Sequence, residues 1–142
     1  MNESELMPLL HLHLRRDEGT RLKPYKDSLG ILTIGVGRNL EDRGISNEEA
    51  DLMLSNDIHY HIKELLKARP WIAQKPVAIR LGLYNMAFNM GIPRLLGFEK
   101  MLERIYVDDY EGAAKEALDS KWAKQVGKRA ERIAELFRNA SN

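Results

Sequence analysis

The chain has 142 residues, 44% hydrophobic and 30% charged, the size and make-up of one globular domain with its own core, and this composition argues against disorder. Its 22 Lys and Arg against 21 Asp and Glu leave a net charge of +1, so overall charge demands no polyanionic partner. Cysteine is absent, which excludes disulfides, thiolate catalysis and cysteine-based zinc sites. At the N-terminus, Glu3 and Glu5 precede a short apolar run and the arginines follow it. That order is the reverse of a secretory leader, and the run is too short to span a bilayer. The expectation is a chain made in the cytoplasm without an export signal.

Leu6, Leu9, Leu10, His13 and Leu14 recur at helical spacing and predict a helix from about Pro8 to Asp17, stopped by Gly19. Glu18 then stands at the negative end of the helix dipole, where a negative charge is disfavoured. A surface residue beside a helix cap and a general acid are both compatible with that position. From Leu22 the helical period is lost. Tyr25, Ile31, Thr33, Ile34 and Val36 suit short strands, and Asp27-Ser28-Leu29-Gly30 between them predicts a hairpin with Asp27 at its turn. On propensity Asp27 is a turn former and Thr33 a strand residue. Gly35 and Gly37 flank Val36 and allow a bend or a close backbone approach. A sheet this small needs helices to pack on.

Ser46-Asn47-Glu48-Glu49 has the form of a capping box. The helix it starts carries Ala50, Leu54, Ile58, Ile62 and Leu65 on one stripe and ends before Pro70. At about 30 Å it is the longest element, fit to connect a small β lobe to a helical one. His11/His13 and His59/His61 are spaced two apart, which on a helix points them to opposite sides, so neither pair makes a metal site by itself. Pro76 fits the first turn of a helix over Val77 to Met90 that is apolar nearly all round and is expected to be the buried centre. Asn85 and Asn89 on it are amides that need partners or face a ligand. Further helical segments are expected at about Phe98 to Val107, Asp109 to Asp119 and Lys128 to Asn139, with joints at Ser120-Lys121-Trp122 and Val126-Gly127. Between Lys121 and Arg138 six basic residues meet two acidic ones, Glu131 and Glu135. A solvated helix face and a weak attraction to anionic cell-wall polymer or nucleic acid both account for that run.

The run EGTRLKPYKDSLGILTIGVG, Glu18 to Gly37, resembles the active-site segment of the phage-type lysozymes, the endolysins of glycoside hydrolase family 24. The likeness continues in order through NMAFNMG at Asn85 to Gly91, LLGF at Leu95 to Phe98, SKW at Ser120 to Trp122 and RAER at Arg129 to Arg132. It implies a mainly α, α+β lysozyme-like fold in a single domain over residues 1–142. A small β lobe would span about 19–45, a helical lobe 1–18 and 70–142, and a connecting helix 46–69, with the cleft between the lobes. It makes Glu18 the general acid, Asp27 the second catalytic carboxylate, and Thr33 the hydroxyl that places a water. These types suit glycosidic cleavage, which takes one protonated carboxyl and one ionised carboxylate. The family is described as inverting, with direct attack by water.

The resemblance also implies that Arg129 lies close to the catalytic glutamate, and that Phe88 and Asn89 line the saccharide cleft. No cofactor or metal is implied. Arg38 stands where many members have histidine, the stretch from Arg38 to Ile45 is short, and Met101 and Glu116 replace small polar residues, so no substrate role is carried to those two. The function implied is an N-acetylmuramidase that hydrolyses the β-1,4 bond between N-acetylmuramic acid and N-acetylglucosamine in peptidoglycan. It would act as a monomeric phage or prophage endolysin, held in the host bacterial cytoplasm until released to the wall. Nucleic acid is not an expected partner, because the basic residues are not interleaved with aromatics. Two alternatives remain: a lytic transglycosylase on the same bond, against which Asp27 and Thr33 argue, and a non-catalytic wall-binding scaffold.

Overall fold

The computed structural model describes residues 2–140. It is mainly helical, with one small antiparallel sheet, and divides into two compact units, one ending at Asp51 and the other beginning at Leu52.

The first unit opens with α1, Glu3–Glu18. It starts at Glu3 and not at Pro8, because Asn2 and Glu5 form a reciprocal capping box: Asn2 accepts from the Glu5 N–H at 3.0 Å and Glu5 from the Asn2 N–H at 2.9 Å. Pro8 therefore lies inside the helix, where its missing N–H leaves one carbonyl of the preceding turn without a helical donor. Gly19, at φ +72°, ends α1 and bonds its N–H to the Arg15 carbonyl, which leaves Glu18 as the last helical residue. The sheet follows as β1 (Arg21–Lys26), β2 (Leu32–Gly35) and β3 (Arg38–Asn39), in that spatial order. The expected hairpin is β1–β2, with Tyr25 opposite Thr33. The third strand is an addition: Gly35 and Gly37, both at positive φ, turn the chain back so that Arg38 pairs with Ile34.

Arg38 ties this sheet to the start of α2, Asn47–Ala68. Its guanidinium forks onto both oxygens of Glu49 and also reaches the Gly44 carbonyl at 3.0 Å. Glu49 is at the same time the third residue of the expected capping box, accepting from the Ser46 N–H at 2.8 Å while Ser46 Oγ accepts from the Glu49 N–H at 3.1 Å. The Arg38 guanidinium is the first cause, and the Ser46 N–H the second, that holds the Glu49 carboxyl down at about 2. An arginine at this position thus makes its own ion pair within the unit.

In the second unit, α2 buries Leu65, and a 3₁₀ turn over Pro70–Gln74 buries Ile72. Pro76 caps rather than enters α3, Val77–Met90. This helix buries Ile79, Leu83, Met86, Ala87 and Met90, while Val77, Leu81 and Phe88 remain exposed, so it is apolar nearly all round as expected but buried on one side only. Then come α4 (Ile92–Leu96), α5 (Glu99–Tyr106), α6 (Tyr110–Leu118), α7 (Lys121–Val126) and α8 (Lys128–Arg138). The segment between the two expected joints is itself helical, because Ser120 Oγ accepts the Ala123 N–H and starts α7. Gly82 is where α3 meets α8: a methyl group there would stand 2.5 Å from the ring of fully buried Phe137. Elsewhere in the unit Lys75 bonds the Tyr106 carbonyl at 3.0 Å and Asp108 at 2.8 Å, beside the edge-to-face rings of Trp71 and Tyr106. Asp108 also accepts from Tyr110, and desolvation, with that bond second, pushes the Tyr110 phenol up to about 12.

Candidate active site

In the first unit Glu18 lies against Gly37. A methyl group on Gly37 would stand 3.3 Å from Glu18 Oε2 and 3.5 Å from Cδ, so the glycine leaves the space that the carboxylate uses. Gly37 also sits at φ +77°, a conformation that costs an L-residue roughly 1–2 kcal/mol. Gly35, at φ +71°, has nothing within 4 Å of such a methyl position. The two glycines are thus alike in backbone and differ in what approaches them.

Asp27 is half-buried at the hairpin turn, and one oxygen serves the turn itself. Its Oδ1 accepts the N–H of Leu29 at 2.8 Å and of Ile31 at 2.9 Å, while its own N–H donates to the Ile31 carbonyl at 2.9 Å. Its Oδ2 has no hydrogen bond among the described residues. Thr33 is the one polar residue buried among the described residues, at 4% exposure, and its hydroxyl donates to the Ile31 carbonyl at 2.8 Å. Asp27 and Thr33 are therefore both fixed through the backbone of Ile31. With its proton committed, the Thr33 oxygen has lone pairs left to accept with, which is what holding a water's O–H requires.

In the second unit the exposed side of α3 carries Asn85, Phe88 and Asn89. The Asn89 and Asn85 oxygens are occupied: Trp122 Nε1 donates to Asn89 Oδ1 at 2.7 Å, and Arg129 Nε donates to Asn85 Oδ1 at 2.8 Å. The amides are thus not buried, as the periodicity suggested, but half-satisfied at the surface. Phe88 is 39% exposed and meets the ring of His61 edge-on at 5.5 Å between centroids. A mainly apolar cavity of about 400 Å³ adjoins this side, lined by Ile58, His61, Tyr84, Asn85, Phe88 and Arg129 among others. His61 Nδ1 is buried there without a partner among the described residues. His59 turns the other way and bonds the Ser55 carbonyl at 2.7 Å. A second cavity, of about 440 Å³, lies beyond Trp122 and is lined by Phe98, Met101 and charged side chains including Arg94, Glu116 and Lys121. Met101 is a core residue at 1% exposure.

Among the described residues no group of three or more His, Cys, Asp or Glu could hold a metal ion, and no helix is long and apolar enough to cross a membrane. Sequence reasoning did not reach the Trp122–Asn89 bond, the Arg38–Glu49 fork or the Glu18–Gly37 approach. Only the last had a signal, the paired glycines after a strand.

The mainly helical fold with its small three-stranded antiparallel sheet is that of a lysozyme-like protein. The phage lysozyme family model matches residues 15–139, and the chain belongs to that family, a class of glycoside hydrolase acting on peptidoglycan. It is similar to the pre-baseplate central spike protein Gp5 of Enterobacteria phage T4, 31% identical over 87% of this chain, which spans 26% of that protein. It is also similar to probable T4-type lysozyme 2 of Dictyostelium discoideum, 30% identical over 87% of this chain and 90% of the relative, and to an endolysin of Salmonella phage P22, 29% identical over 71% and 73%.

Proposed function

We propose that this chain is an N-acetylmuramidase that hydrolyses the β-1,4 bond between N-acetylmuramic acid and N-acetylglucosamine in peptidoglycan, and that it serves as a phage or prophage endolysin. Glu18 donates its proton to the leaving glycosidic oxygen. Asp27, through Oδ2, supports the oxocarbenium-like transition state and the attacking water, and Thr33 accepts a hydrogen bond from that water, so that attack is direct. Phe88 and Asn89 bind the sugar, the ring by stacking and the amide by hydrogen bonding. Arg129 supports the acid. No cofactor takes part, and the protein works as a single-domain monomer, held in the host cytoplasm until it is released to the wall.

The observation that carries this reading is the division of labour at the hairpin. Asp27 gives one oxygen to the turn and keeps the other, and Thr33 gives away its proton and keeps its acceptor, as water positioning requires. The test is Glu18→Gln, which keeps the side chain's size. It should abolish the loss of turbidity of a cell-wall suspension while circular dichroism stays that of the wild type. Full activity would remove Glu18 from the mechanism. For Arg129→Ala, a pH–activity profile that coincides with the wild type would remove the supporting role.

A further inference from the structure

The turn from β2 into β3 is soft by composition. Gly35 and Gly37, which let the chain reverse, both sit at positive φ and have no side chain to hold them. β3 is two residues long, so its pairing with β2 rests on Ile34 opposite Arg38 and Thr33 opposite Asn39. The loop beyond it is fastened at the end remote from the turn. There the Leu40 N–H donates to the Leu32 carbonyl at 2.9 Å, and the Leu32 N–H to Glu41 Oε1 at 3.1 Å. At the end next to Gly37, the side chain that ties the strand down is Arg38.

That tie ends on a fixed point. The guanidinium donates to both oxygens of Glu49, in the first turn of α2 and the same unit, and to the Gly44 carbonyl. Glu49 is itself held by the Ser46 N–H at 2.8 Å. A planar fork onto a carboxylate sets direction as well as distance, which a single ammonium would not. The Arg38 side chain is only 21% exposed, so water competes little for these bonds.

In the chain Arg38 stands between Gly37, against which the Glu18 carboxylate lies, and Asn39, which pairs with Thr33. Successive Cα atoms are about 3.8 Å apart, so fixing Arg38 fixes both neighbours. We infer that Arg38 is a positioning residue for the proposed reaction: its fork onto Glu49 sets how the Gly37 backbone meets Glu18 and how β3 backs Thr33. The acid and the hydroxyl that holds the water are thereby kept in register. The inference rests on the roles proposed for Glu18 and Thr33. Arg38 bonds neither side chain among the described residues, and it acts through the backbone on either side of it.

Release of reducing ends from solubilised peptidoglycan gives kcat and KM separately. Arg38→Met should lower kcat about three- to tenfold, the cost of a shift of a few tenths of an ångström, with KM unchanged. Arg38→Lys keeps the charge without the fork and should fall between it and the wild type. Ser46→Ala is the control, since it removes the acceptor of the Glu49 N–H, weakening the same helix start, and leaves the partners of the guanidinium in place. Its kcat should match the wild type even if its Tm falls as far as that of Arg38→Met. Glu49→Gln keeps the side chain's size and an oxygen for the Ser46 N–H but weakens the fork. It should also lower kcat, and in ¹⁵N-labelled protein the amide signals of Gly37 and Thr33, far from the substitution in sequence, should move. In Ser46→Ala they should stay. Should Arg38→Met fail to fold, Glu49→Gln carries both readouts. Unchanged kcat in Arg38→Met or Glu49→Gln, an equal loss in Ser46→Ala, or unmoved amide signals in Glu49→Gln would each overturn the inference. A wild type that releases no reducing ends would instead overturn the proposed function, and the amide signals would still decide whether Arg38 places the backbone at Gly37 and Thr33.

Discussion

Gly37→Ala isolates the contact between a glycine and the proposed acid. At φ +77° the alanine costs roughly 1–2 kcal/mol in backbone strain, a fall in Tm of about 3–8 °C for a domain of this size. Gly35→Ala, at φ +71°, carries the same strain with nothing within 4 Å of the new methyl. The difference between the two variants is then the contact with Glu18, 3.3 Å from the methyl on Gly37, which obliges the carboxylate to give by a few tenths of an ångström. A misplacement of 1 Å costs about 100-fold in rate, so a few tenths should cost about three- to tenfold. The assay is the initial rate of turbidity loss, with Tm measured on the same preparations. Both variants should melt alike, with Gly37→Ala about three- to tenfold slower than Gly35→Ala. Equal rates, or a slower Gly35→Ala, would refute the argument that Gly37 makes room for a working Glu18.

Asp27→Asn keeps an oxygen for the Leu29 and Ile31 N–H groups but not the charge, so it should fold like the wild type and lose activity. Asp27→Ala should also destabilise, by about 1–2 kcal/mol in denaturant titration, since two backbone donors lose their acceptor. Gly82→Ala improves helix propensity by about 1 kcal/mol, yet it sets a methyl 2.5 Å from Phe137 in the core. Overpacking of about 1–3 kcal/mol should dominate, and a midpoint raised in urea would show that α3 and α8 are not that close. The Glu49 carboxyl is held down at about 2, chiefly by Arg38. A depressed carboxylate contributes stability that is present above its unfolded value and is lost as pH falls through its folded one. The advantage of the wild type over Glu49→Gln should therefore be level above about pH 5 and fade between about pH 4.5 and 2. A carboxyl ¹³C titration of Glu49 with a midpoint near 4 would contradict it.

The elements that could be read from the chain were those whose signal is local. The Ser46–Glu49 capping box, the stop at Gly19 and the hairpin around Asp27 each lie within a few residues, and each is found. The start of α1 was missed because proline was weighed above the Asn2–Glu5 box, which fixes the first turn before the chain reaches Pro8. α3 looks buried all round in composition, but burial is decided by neighbours, and α8 covers only the side at Gly82. At the candidate site, residue types alone gave a helix end, a turn aspartate and a strand threonine, and it was the resemblance that singled out Glu18, Asp27 and Thr33; what holds Asp27 and Thr33 was invisible, since Ile31 uses backbone atoms, which no side-chain pattern reports. Trp122 and Asn89 meet across 33 positions, and Arg129 and Asn85 across 44, separations at which periodicity carries no information.

The central claim is that water, placed by Asp27 and Thr33, attacks a bond whose leaving oxygen is protonated by Glu18. Digestion of purified peptidoglycan with mass spectrometry of the released fragments tests substrate, bond and chemistry together. The account predicts muropeptides ending in reducing N-acetylmuramic acid, produced by the wild type and not by Glu18→Gln. Fragments ending in a 1,6-anhydro sugar, or intact polymer left bound to an unreactive wild-type protein, would contradict it.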